Sequence, residues 1–138
     1  MKEIKHNEQL LAIIDSVENF PKGLGFYGNK SDFIQVGHFR YDTNKIMRDH
    51  IHIKRERTTE KTQEILIVFK GKCAIRTYPP DHKEGEKPIA TNMLSAGEFY
   101  ILYEGGFGGA VMQDDTIMME IKNGPYNVAS DDEDRILL

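Results

Sequence analysis

Apolar and polar positions follow two different periods along this chain. Residues 8 to 20 place Leu10, Ile13, Ile14 and Val17 at helical spacing, with Asn7 available as an N-cap and Pro21 beyond the end. This predicts one short amphipathic helix. After "PKGLGFYGNKSD" the period shortens, and from Asp32 onward the chain reads as short strands broken by turns. "DFIQVGHFRY" and "KIMRDHIHI" are two such runs, joined through the turn residues "DTN". "QEILIVFKG" is the most apolar and is followed by "KCAIRTY"; "PPDHKEGEKP" is polar, bounded by prolines, and reads as an exposed loop. "SAGEFYILYEGGFGGAVM" gives two runs around a glycine-rich turn, and "DDTIMMEIKNGPY" adds a last strand between an acidic turn and Asn-Gly-Pro. Seven or eight strands with almost no helix between them predict an all-β antiparallel sandwich or barrel preceded by a short helix.

A chain of 138 residues holds one domain, here an N-terminal helix and linker over 1–30 and a β domain over 31–138. With 39% hydrophobic and 29% charged residues, it has the composition of an ordinary globular protein. No apolar run approaches the ~20 residues a spanning helix needs, so no membrane partner is expected. The first twenty residues carry acids within their apolar stretch and lack a small-residue cleavage site, which is not the pattern of a secretory signal. Cys73 is the single cysteine and has no intrachain disulfide partner, consistent with the expected cytoplasmic location. The net charge of -4 argues against a nucleic-acid binder, although basic residues crowd between Arg48 and Lys61.

Candidate chemistry begins at "DHIHIKRER". On a strand, side chains two apart face the same way, so His50 and His52 would share a face with Arg48 and Ile46. Two imidazoles fixed side by side supply two coordination positions, yet the same pattern also suits a solvated strand. Glu64 strengthens the metal reading. It opens an apolar strand and shares a face with Leu66 and Val68, where an unpaired carboxylate is costly. Two histidines and a carboxylate can surround a cation with positions left open.

"HIH", then Glu64, six residues and Gly71 resemble the first motif of the cupin superfamily, and "GEFYILYEGGFGG" resembles a degenerate second motif. "MMEIKNGPY" and "DDEDRI" add a likeness to small bacterial cupins, some associated with polysaccharide biosynthesis, so the resemblance covers roughly Ser31 to Ile136. It implies a double-stranded β-helix, or jelly-roll, barrel holding a divalent metal (iron, manganese, nickel or zinc) and a small polar metabolite, and it favours a homodimer. By position, His50, His52 and Glu64 match the first three metal ligands. Three departures stand out. Eleven residues, Ile53 to Gln63, separate His52 from Glu64 where the family has three or four; Glu98 replaces an aspartate; and Phe107 occupies the place of the second-motif histidine.

Two functions follow. In one, the three surviving ligands hold the metal in an enzyme of sugar or carboxylate metabolism, with the metal as Lewis acid or oxygen-activating iron centre. Glu120 or a tyrosine, Tyr103, would then move the proton, and Arg48, Phe107 and Tyr126 would contact the ligand. In the other, the metal has been lost and the protein is a non-catalytic binding or accessory cupin. The plainer roles compete throughout: the tyrosines as core or rim aromatics, Glu120 as a solvent-facing acid, "KRER" as a charged strand edge.

Overall fold

The computed structural model describes residues 1–124. Within them the chain is all-β, as the strand pattern predicts, and forms three antiparallel sheets that do not close into a barrel. The strands are β1 (Lys2–His6), β2 (Gln9–Ser16), β3 (Gly23–Tyr27), β4 (Val36–Arg40), β5 (Glu64–Lys70), β6 (Lys72–Tyr78), β7 (Ala90–Ser95), β8 (Glu98–Leu102), β9 (Gly106–Val111) and β10 (Ile117–Lys122). A central five-stranded sheet runs β1-β2-β8-β5-β10; β7-β6-β9 form a second sheet, and β3-β4 a two-stranded hairpin.

The expected N-terminal helix is absent, and its residues form a hairpin. Asn7 and Glu8 both have positive φ, 47° and 66°, and make the two-residue turn between β1 and β2 instead of a helix cap. The helical spacing of Leu10, Ile13 and Ile14 was coincidental. Leu11 and Ala12 complete an unbroken apolar run that leaves no polar helix face, and such a run suits a strand covered on both sides. The only helical turn described is a 3-10 turn at Val17–Asn19, capped by the Ser16 hydroxyl accepting from Glu18 N.

Two apolar layers explain that coverage. One face of the central sheet presents Ile4, Ala12, Ile14, Leu66, Val68, Tyr100 and Leu102 to Cys73, Ile75 and Leu94 of the second sheet. Its other face presents Ile13, Ile65, Phe99, Ile101 and Tyr103 to Phe20, Tyr27, Ile34 and Val36 around the β3-β4 hairpin. Strands β2, β5 and β8 are therefore buried on both faces, which is why they carry the longest apolar runs. Each such side chain contributes about 1.5–3 kcal/mol by leaving water. Cys73 is 1% exposed and serves as a small core residue.

The expected strand over "KIMRDHIHI" does not form. Residues 45–59 have no regular structure and are almost wholly exposed, Ile51 and Ile53 at 94% and 92%. Alternation there supplies apolar side chains, but charged neighbours and the lack of a paired edge leave the backbone to water. The charged residues that follow His52, up to Gln63, form no strand either. Order resumes at Gln63, which is 3% exposed, donates from its N–H to Asn123 Oδ1 at 2.7 Å and accepts from Ile34 N at 2.9 Å. Strand β3 lies in a segment that reads as a turn-rich linker, and β7 in one with no strong pattern of its own.

Candidate functional site

Glu64 is the first residue of β5, opposite Leu102 of β8 and Lys122 of β10. It faces the layer between the two larger sheets, because Leu66 and Val68 at the same parity lie in that core. Its side chain is 15% exposed, and Lys122 Nζ stands 4.0 Å from Oε1. Deeper in the layer, Tyr100 is fully buried, and its hydroxyl meets that of Thr77 at 3.1 Å. Burial pushes the Tyr100 hydroxyl well above the usual phenol range; the Thr77 hydrogen bond opposes this, and the Glu64 charge adds a smaller upward push. A neutral tyrosine is thus fixed beside a carboxylate.

Phe107 also faces this layer. It lies on β9 opposite Thr77 and packs against Tyr100, with ring centroids 5.8 Å apart. The turn before it needs glycine: Gly105 has φ +84°, and a Cβ there would overlap the Tyr78 carbonyl. Glu120 sits opposite Leu66, so it shares the face, but it is exposed and lies on the last strand of the sheet among the described residues. Glu64, Phe107 and Glu120 are therefore brought to one inter-sheet face.

The remaining expected residues lie elsewhere. Arg48, His50 and His52 are in the exposed irregular segment. The two imidazoles are neighbours, with centroids 4.8 Å apart at 78°, and His50 Nδ1 lies 3.0 Å from the Arg48 carbonyl oxygen. Among the described residues, no group of three His, Cys, Asp or Glu side chains is placed to hold a metal ion. The trio of His50, His52 and Glu64 does not fit a metal in this arrangement. Tyr103 faces the opposite layer, with Phe99 and Ile101, so the sheet separates it from Glu120. Its buried hydroxyl has no hydrogen-bond partner among the described residues, and burial, helped by the Asp32 charge, raises its pKa to about 12. Tyr126 lies outside the described residues.

The hairpin-side layer contains a polar cluster that the motifs did not indicate. Asp15 is 7% exposed and accepts from Asn19 Nδ2 at 2.7 Å, Tyr27 Oη at 2.8 Å and Ser16 N at 2.9 Å. Burial alone would raise its pKa; these hydrogen bonds outweigh it and hold the carboxyl at about 2. Tyr27 is pushed above the usual phenol range by burial and by Asp15. His38 stacks on Phe20 at 4.7 Å, and its Nδ1 is buried without a partner among the described residues. Its ring lies across Gly25, where any Cβ would overlap it. A signal existed in "AIIDS", an acid within an apolar strand, which is the same reasoning that singles out Glu64.

No protein family, curated protein or solved structure matches the chain.

Proposed function

We propose that this is a non-catalytic protein that binds a small polar molecule or serves as an accessory subunit, of cupin type but without a resident metal. One observation carries this reading: Phe107 packs on Tyr100 between the sheets while Glu64 has an ammonium, Lys122, at 4.0 Å. A carboxylate with a lysine beside it, on an inter-sheet face that also carries aromatic rings, is suited to polar recognition more than to coordination. A cytoplasmic setting agrees with the lone, buried cysteine. Elemental analysis of protein purified without added metal tests the reading, with substoichiometric iron, manganese, nickel and zinc expected. Stoichiometric metal that is lost in both His50→Ala and Glu64→Gln would overturn it.

A second reading, a metal-dependent protein of sugar or carboxylate metabolism, is favoured by the imidazole geometry. With Nδ1 of His50 against a backbone carbonyl, Nε2 is the nitrogen left for a cation, the arrangement that metal-ligating histidines commonly use. The same elemental analysis separates the two.

A further inference from the structure

The two edges of the central sheet are built differently. On β1, Lys2, Glu3, Lys5 and His6 flank a single buried apolar residue, Ile4, and the register with β2 shifts between Ile4 and Lys5. Charge and a bulge are two devices that keep a sheet edge from pairing with another chain. On β10, Ile117, Met118, Met119 and Ile121 are 37–50% exposed; its register with β5 also shifts, but at the first residue, between Ile117 and Met118, so Met118 to Lys122 run in continuous register. Met119 and Ile121 stand opposite Ile67 and Ile65, while Met118 stands opposite Val68, so apolar side chains are uncovered on both faces. In the same sheet β2, β5 and β8 are covered on both faces. β10 has the composition of an interior strand at an edge position.

We propose that β10 is the interface at which a second copy of this chain adds its own β10, antiparallel, so that the two central sheets become one. An antiparallel two-fold pair sets side chains of the same face opposite one another, so the axis passes through a residue. Centred on Glu120, the pairing would set that carboxylate against its own copy. Centred on Met119, it would set Glu120 against Met118. Centred on Ile121, it sets Glu120 against Lys122 of the second copy twice, and packs Ile121 on Ile121. Opposite charges directly across a strand pair stabilise it and like charges destabilise it, so charge selects the axis at Ile121. Lys122 then stands between Glu64 of its own chain and Glu120 of the second copy.

Sedimentation velocity of the full chain over a concentration series tests this, with a reversible dimer expected. Glu120→Lys should raise the dissociation constant about tenfold, whereas Glu120→Asp, which keeps the charge, should leave it within about threefold. Ile121→Cys should form a disulfide-linked dimer under mild oxidation while Met118→Cys does not, the native Cys73 being buried. Circular dichroism confirms that each variant is folded. A monomer at every concentration, which is also what an edge already occupied from within the chain would give, overturns the proposal. So does a dimer that Glu120→Lys leaves unchanged and Ile121→Cys fails to lock.

Discussion

The two layers on either side of the central sheet are made of different material. Toward the second sheet, the buried residues are mostly aliphatic, the one internal hydroxyl pair, Tyr100 with Thr77, satisfies itself, and a single buried polar atom, Asn92 Nδ2, has no partner among the described residues. Toward the β3-β4 hairpin, aromatic rings enclose an ionised Asp15, a histidine and a tyrosine hydroxyl, and two buried polar atoms, His38 Nδ1 and Tyr103 Oη, have no partner among the described residues. The first layer derives its stability from area removed from water, the second from a hydrogen-bond network that must remain complete. Unsatisfied buried atoms are costly, so the hairpin layer is the weaker of the two and the easier to open.

Tyr100→Ala is expected to have the largest effect. It removes a fully buried ring from the aliphatic layer, leaves a cavity bounded by Phe107 and strands the Thr77 hydroxyl, costing about 3–5 kcal/mol in urea unfolding. A loss below about 1 kcal/mol would mean that the layers are not packed as described. The contrast with the hairpin layer is sharpened by pH. Asp15 has a folded pKa of about 2 against an ordinary 3.8, so its contribution is complete above the unfolded value and is lost as pH falls through the folded one. The difference in stability between the native chain and Asp15→Asn should therefore be on the order of 2 kcal/mol at pH 6 and shrink toward pH 2. A difference that stays flat across that window would show that the carboxylate is not held by Tyr27 and Asn19.

How much of this was legible in the sequence depends on where each residue's constraint came from. β5, β6 and β8 are recognisable because burial by a neighbouring sheet imposes apolar side chains at close intervals along the strand itself, and β10 because it carries an apolar run although it is exposed. The N-terminal hairpin was misread because a fully apolar pentapeptide, Leu10 to Ile14, carries no period; length and the Asn7-Glu8 turn had to decide, and both pointed to a strand. Glu64 and Phe107 lie on one inter-sheet face, because β5 and β9 each border the layer that holds Tyr100. His50 and His52 do not join them. Alternation of Ile46, Arg48, His50 and His52 describes a strand, but a strand also requires an edge to pair with, and that is a property of the rest of the fold. The Asp15 cluster was obscure because its donors, Asn19 and Tyr27, are drawn in by the 3-10 turn and the hairpin, neither of which has a strong signature.

The smallest effect is expected where neither layer reaches. Ile51→Ser with Ile53→Ser changes two large apolar side chains, yet both are more than nine-tenths exposed, so folding removes almost none of their surface from water. With no burial to lose and no hydrogen bond to break, the double variant should unfold within about 0.5 kcal/mol of the native chain. The same substitutions at Ile13 and Ile101, one on each of two central strands of the hairpin layer, would cost several times that each. A loss of about 2 kcal/mol or more in the Ile51/Ile53 variant would require these side chains to be buried against one of the two layers. That would place His50 and His52 beside a sheet, and the separation between the imidazoles and Glu64 would have to be redrawn.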